Sequence, residues 1–240
     1  PLEGTAVDVA VGGSLSETGA QTAYVATSSY GLAIIDASDF TNPILLGQID
    51  LEGDNQLVDA DAGRALAFVA AGASGLHIVD VVDPLIPQTV TTVNNIGRID
   101  SVLSLDGILI TGGAQLSVLS STTGQVLSEA EIGGNVGSVF LDGDILYAVV
   151  DNSELVSVLF DGQQFIELDR ISIPTPPIRR QPFEDLQVFV DDGVAFVSNG
   201  IATGAIATSR PLERGGLLSF DVSDPGALSL ISNIDTGDFA

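Results

Sequence analysis

The sequence predicts an all-β fold in which a four-stranded unit is repeated five times, and three observations carry that prediction. First, a phrase recurs: Gly31-Leu32-Ala33-Ile34-Ile35-Asp36 returns as Gly75-Leu76-His77-Ile78-Val79-Asp80 and as Gly216-Leu217-Leu218-Ser219-Phe220-Asp221. Second, the strands that this phrase marks begin at Leu32, Leu76, Leu116, Val156 and Leu217, at successive intervals of 44, 40, 40 and 61 residues. Third, no stretch has the period of an amphipathic helix, whereas short β-rich runs bounded by Gly, Asp and Pro fill the chain. Four short strands per period of about 40 residues make the blade of a β-propeller. An irregular β-sandwich would show no such self-similarity.

Each unit opens with a strand pair. The pairs are 7–11 with 23–26, 57–61 with 67–70, 101–105 with 108–111, 138–141 with 145–149, and 187–190 with 194–198. The last three close around Asp106-Gly107, Asp142-Gly143-Asp144 and Asp191-Asp192-Gly193, the residues that supply the left-handed conformations of tight hairpins. A third strand follows, preceded by Gly31, Gly72, Gly112 or Gly113 where the backbone must turn sharply. The fourth strand, at 44–49, 88–93, 125–130, 165–171 and 228–234, comes after a turn such as Asn42-Pro43, Asp83-Pro84 or Asp224-Pro225. The units run over about 5–53, 54–97, 98–134, 135–173 and 185–237 of a single propeller domain, with insertions at 173–184 and 200–215.

Two copies of the repeat read Ala23-Tyr24-Val25-Ala26 through Asp36 to Pro43, and Ala67-Phe68-Val69-Ala70 through Asp80 to Pro84. A third runs from Ala195-Phe196-Val197 to Asp221 and Pro225, while units three and four place Ser120 and Phe160 where the others have Asp. This phrase resembles the LVIVD repeat. The resemblance implies a propeller-like protein of a bacterial or archaeal surface, and is specific for architecture rather than chemistry. Five units could close a ring, or could be part of a larger propeller. The absence of Met leads to the expectation that the chain is a piece of a longer protein.

Composition narrows the partners. Seven basic residues, all Arg, stand against 32 acidic ones, for a net charge of −25. Such a polyanion repels nucleic-acid phosphates and anionic membranes, and suits a salty exterior where charges are screened over about 8 Å. With 45% hydrophobic residues the acid belongs to a folded surface rather than a disordered chain. Zero Cys excludes disulfides and thiolate metal sites, and no apolar run is long enough to span a bilayer as a helix. Together with the lack of Met, Trp and Lys, this points to an extracellular or cell-surface setting.

Catalytic signatures are sparse. His77, the single histidine, falls on a strand and is expected at an inter-blade packing position or on a solvated face. The glycine-rich run 133–138 lacks the Lys and the helix of a phosphate loop. Asp36, Asp80 and Asp221 end equivalent strands and are expected to accept hydrogen bonds from the following turn. Asp59-Ala60-Asp61-Ala62-Gly63 opens like a calcium loop but lacks the later ligands. Asp8 and Asp59 lie on first strands, which line the channel of a propeller. Acids converging there would hold a hydrated cation, but Ser101, Ser138 and Gln187 fall on the other first strands.

The regular spacing breaks at the two insertions, which emerge on one face of the predicted propeller. They carry Arg179, Arg180, Phe183, Arg210, Leu212 and Arg214, with Arg170 just before them. The functional reading is a docking patch: guanidinium forks for carboxylates, a stiff Pro-rich segment, and Phe183 and Leu212 as apolar anchors. Self-pairing with the protein's own acids is the alternative. The expected function is a noncatalytic extracellular module for protein interaction, adhesion or assembly, without catalytic residues or resident cofactor. Its partner is another protein or a second acidic copy, not nucleic acid or inserted membrane. A calcium-dependent hydrolase or lyase with carboxylates at the channel is the competing expectation.

Overall fold

A computed structural model describes residues 2–12, 21–174, 186–199 and 216–235, and among these there are twenty strands and no helix. Blade 1 contains β1 (Ala6–Gly12), β2 (Thr22–Thr27), β3 (Gly31–Asp36) and β4 (Ile44–Asp50). Blade 2 contains β5 (Leu57–Asp61), β6 (Leu66–Ala70), β7 (Leu76–Asp80) and β8 (Gln88–Val93). Blade 3 contains β9 (Ile99–Leu105), β10 (Ile108–Gly113), β11 (Leu116–Ser120) and β12 (Val126–Ala130). Blade 4 contains β13 (Val136–Asp142), β14 (Ile145–Val150), β15 (Glu154–Phe160) and β16 (Phe165–Ser172). Blade 5 contains β17 (Gln187–Asp191), β18 (Val194–Asn199), β19 (Gly216–Asp221) and β20 (Ser229–Asp235). Each blade is an antiparallel meander in chain order. Blades 1 to 3 belong to one compact unit, Pro1–Glu131, and blades 4 and 5 to a second, Ile132–Ala240.

Hairpin chemistry follows the sequence. Asp106 and Gly107 both adopt positive φ (33° and 92°), as do Asp192 and Gly193 (46° and 74°). That conformation matches the right-handed twist of the flanking strands.

Inner strands such as β6 read as nearly continuous apolar runs because both of their faces are covered. Side chains alternate along a strand, so β6 sends Ala67 and Val69 to one side and Phe68 and Ala70 to the other. On the first side Val58, Val69 and Val79 pack against Tyr24, Leu32 and Ile34 of blade 1. On the second, Phe68, Leu76 and Ile78 pack against Val102, Leu109 and Leu119 of blade 3. In the second unit, Tyr147, Val149 and Leu155 of blade 4 meet Val188, Val197 and Phe220 of blade 5. Each large aliphatic or aromatic group so buried contributes about 1.5–3 kcal/mol.

The glycine that opens the recurrent phrase has a backbone reason. Gly31 (φ +138°) and Gly75 (φ +92°) sit where the third strand begins against the end of the fourth, and a Cβ would stand 2.4 Å from the Ile49 carbonyl oxygen or 2.0 Å from that of Val93.

One feature of the fold has no counterpart in the predicted strands. Every fourth strand carries a bulge at the same register, leaving Leu46, Val90, Leu127, Leu168 and Ile231 unpaired with the third strand. A bulge re-aims the residues beside it, and in blades 1 and 4 the residue after it lies where the next blade's β3–β4-type turn arrives. In blade 1 this is Gly47, where a Cβ would stand 2.3 Å from the Pro84 carbonyl oxygen. In blade 4 it is Asp169, whose Oδ2 accepts from the Leu228 amide at 2.7 Å, while Ser157 Oγ donates to the Pro225 carbonyl at 2.6 Å. The Pro of the repeat thus belongs to a latch onto the preceding blade.

Replacing Gly75 with Ala combines a left-handed φ with a backbone clash. Chemical denaturation is expected to show a loss of about 3 kcal/mol, whereas Gly143→Ala, with open space around its Cβ, costs less.

Candidate functional site

The residues that the sequence singled out for chemistry are held by the scaffold. Asp8, on β1, directs Oδ2 to the Val58 amide of β5 at 2.9 Å. Asp59, on β5, accepts from the Ser104 amide of β9 at 2.6 Å through Oδ2 and from its neighbour Ala60 at 2.7 Å through Oδ1. In the second unit Ser138 Oγ of β13 accepts from the Val188 amide of β17 at 3.2 Å and donates to Gln187 Oε1 at 3.2 Å. These three are one device: a first-strand side chain reaches sideways to a backbone N–H of the next first strand. Asp8 and Asp59 are each engaged by a backbone amide of the next first strand. Among the described residues, no group of three or more His, Cys, Asp or Glu is placed to hold a metal ion.

Burial drives the Asp59 carboxyl above the ordinary aspartate range, against the lowering effect of the Ser104 and Ala60 amides, with Asp8 and Asp61 adding to the rise. Asp61 goes the other way: burial, which would raise it, is outweighed by hydrogen bonds and charge from Arg64, which sits 2.6 Å away. The calcium-like run 59–63 is thus divided between an inter-blade clamp and an ion pair.

The strand-ending aspartates form the expected turns. Asp36, Asp80 and Asp221 accept through Oδ1 from the amides of Ser38, Val82 and Ser223 at 2.9, 2.8 and 3.0 Å. Three residues on, Asp39, Asp83 and Asp224 repeat the contact with Thr41, Leu85 and Gly226 at 2.9, 3.0 and 3.0 Å. Hydrogen bonds from Ser38, Thr41 and Ser223, side chain first and then backbone, hold Asp36, Asp39 and Asp221 below the usual carboxylate range. In the degenerate blades the role moves. Ser120 Oγ accepts from the Thr123 amide at 3.4 Å in blade 3, and Asp161, one position late, accepts from Gln163 and Gln164 at 2.9 and 2.7 Å in blade 4.

His77 occupies the inter-blade position, not the solvated face. Its Nε2 lies 2.8 Å from the Glu52 carbonyl oxygen, which can only accept, so Nε2 carries a proton. In the neutral ring Nδ1 then accepts from the Thr92 hydroxyl at 2.9 Å. A polar cleft of about 560 Å³ between blades 1 and 2 is lined by this ring with Asp50, Glu52, Ser74, Thr89 and Asn94. With both nitrogens engaged, His77 is a tether between the blade 1–2 connection and β8.

The arginines divide. Arg64 pairs with Asp61 at 2.6 Å and with Asp106 at 3.2 Å, and Arg98 pairs with Asp100 at 2.7 Å. Arg170 is bound by Glu154, by Glu167 at 2.9 Å and by the Ile132 carbonyl, so it belongs to the frame of blade 4 rather than to a docking patch. Arg179, Arg180, Phe183, Arg210, Leu212 and Arg214 lie outside the described residues. Two features escaped the sequence reading: the first-strand clamps from Asp8, Asp59 and Ser138, and the bulge latches. Their signal is subtle, an apolar residue at the same point of each fourth strand.

Five antiparallel four-stranded blades define a protein of the β-propeller class. The chain also carries the LVIVD repeat, whose family model matches residues 3–50 and 66–95. Those matches span the first two copies of the phrase. Among solved structures it is similar to the β-propeller domain of Cps50 (Swd1) from Myceliophteria thermophila, with a TM-score of 0.66 at 10% identity over 90% of this chain and 69% of that one. The computationally designed Ika8 protein gives a TM-score of 0.62 at 10% identity, and the N-terminal domain of Nup159 gives 0.61 at 13%. These two alignments cover 97% and 95% of this chain, which spans only 62% and 61% of theirs. No curated protein matches the chain at a significant level.

Two outcomes test the clamps. Asp8→Ala is expected to lower stability to denaturant by about 1–3 kcal/mol, since it strands the Val58 amide. Asp59 has a folded pKa above its unfolded value. Its contribution is present below the ordinary aspartate range and lost as pH rises through the folded value. Asp59→Asn should therefore gain stability relative to wild type between about pH 4 and pH 7. A relative loss over that interval would show that its two amide bonds outweigh burial.

Proposed function

We propose that this chain is a noncatalytic interaction module of an extracellular or cell-surface protein, serving adhesion or assembly. One observation supports it above others: the residues that chemistry would need are committed to holding blades together. Asp8, Asp59 and Ser138 clamp first strands, Asp36, Asp80 and Asp221 cap turns, and His77 ties a connection to β8. A scaffold of this kind offers surface rather than a reaction centre. The net charge of −25 favours a saline exterior, where repulsion between copies is screened. Among the described residues no helix is long and apolar enough to cross a membrane.

The partner surface on this reading is the pair of insertions with Arg179, Arg180, Arg210 and Arg214, and Phe183 and Leu212 as anchors. The three described arginines are paired internally, and on this reading the four in the insertions take carboxylates of another molecule, including a second acidic copy. Such a contact joins unlike surfaces and can propagate into a chain or layer.

Sedimentation over a range of protein concentrations tests this. The wild type is expected to self-associate, and changing all four arginines to Ser to weaken association by about tenfold or more. Unchanged association would remove the insertions from the interface. Calorimetry with calcium provides the check on catalysis by a channel-bound cation: binding tighter than about millimolar, the range of weak extracellular sites, would restore that reading.

A further inference from the structure

Two neighbouring turns carry apolar side chains that the fold does not use. In blade 1, Phe40 is 68% exposed and Ile44 53% exposed, while the turn between β7 and β8 exposes Val82, Leu85 and Ile86 at 73%, 63% and 62%. The second turn rests on the fourth strand of blade 1. The backbone of Pro84 and Leu85 lies against Gly47, where a Cβ would meet both residues' carbonyl oxygens at 2.3 and 3.1 Å, and Gly47 is on the same strand as Ile44.

Blade 5 supplies an internal control. Its turn has the same pair of aspartate caps, Asp221 and Asp224, with the same amide partners as Asp80 and Asp83. Yet Ser223, Gly226 and Ala227 stand where blade 2 has Val82, Leu85 and Ile86, and Ser229 stands where blade 1 has Ile44. The turn forms without apolar tips, so local structure does not call for them. Exposed apolar side chains that the fold does not use mark a binding site.

The margin of the patch is anionic. Asp36, Asp39, Asp80 and Asp83 each direct one carboxylate oxygen into a turn, so four negative groups frame the apolar centre. Positive charge on a partner complements this frame. We propose that the turns of blades 1 and 2 form a docking surface for a basic amphipathic segment of another protein, its aliphatic side chains on Phe40, Ile44, Val82, Leu85 and Ile86 and its Arg or Lys on the flanking aspartates. An anionic bilayer is disfavoured at the same place because its headgroups repel the frame. This surface rests on the interaction-module reading but is independent of the arginine insertions.

Fluorescence anisotropy with labelled synthetic peptides tests it. The probes are a short alternating Leu-Arg peptide, a Leu-Ser peptide of equal length and a Ser-Arg peptide. The comparison variant is Val82→Ser/Leu85→Gly/Ile86→Ala, which installs the blade 5 residues. The Leu-Arg peptide is expected to bind the wild type with an affinity that falls with salt, and to bind the variant about tenfold or more weakly. The Ser-Arg peptide, sensing only net charge, should not distinguish the two proteins. Equal binding of Leu-Arg to both, or equal affinity for Leu-Ser and Leu-Arg, overturns the proposal. Should the triple variant melt early, Val82→Ser alone must shift binding in the same direction. The four-arginine Ser variant keeps Leu-Arg binding if this surface is separate, whatever its own self-association.

Discussion

The burial of one sheet face against the next is the interaction on which the other features depend. A four-stranded sheet whose inner strands are apolar on both faces has no stable place in water, and β6 and β14 are of that kind. Phe68 and Val69 are adjacent in sequence yet belong to different cores, one facing blade 3 and the other blade 1. Neither core exists without its neighbouring blade. Stability in each unit therefore grows by contacts between successive repeats.

Apolar contact does not by itself set the offset between sheets. Three devices do. At the inner end, Asp8, Asp59 and Ser138 tie first strands together through backbone amides. At the outer end, the turn after the third strand rests on the preceding blade, as Pro84 does on Gly47 and Leu228 on Asp169. In blade 2, His77 joins the incoming connection to the fourth strand. Buried polar contacts of this sort add specificity of register to the non-directional attraction of the cores.

Strands, hairpins and the repeat itself were legible in the sequence because each rests on local rules: alternation, Asp-Gly turns and a recurrent phrase. The strand-ending Asp was legible for the same reason, since it bonds an amide two residues away. Asp8 and Asp59 were not, because their partners lie 50 and 45 residues along the chain and an acidic side chain on a first strand reads equally as a ligand or a clamp. The bulges were hidden by their own chemistry. An extra Leu, Val or Ile in a β-rich run looks like more strand, and only the pairing of Ile34 with Gly47 and Ile35 with Leu45 reveals that Leu46 has been skipped.

Those bulges bear on how another molecule can approach. The fourth strand of each blade is an edge, and a flat edge invites a foreign strand to extend the sheet by backbone pairing. Here the edge is bent at the same register in all five blades, so its row of amides and carbonyls is interrupted before a ladder of useful length can form. Recruitment by strand addition is thereby discouraged around the whole set of blades. What remains is recognition by side chains on turns and connections, which can diverge from one repeat to the next without disturbing the sheets beneath them.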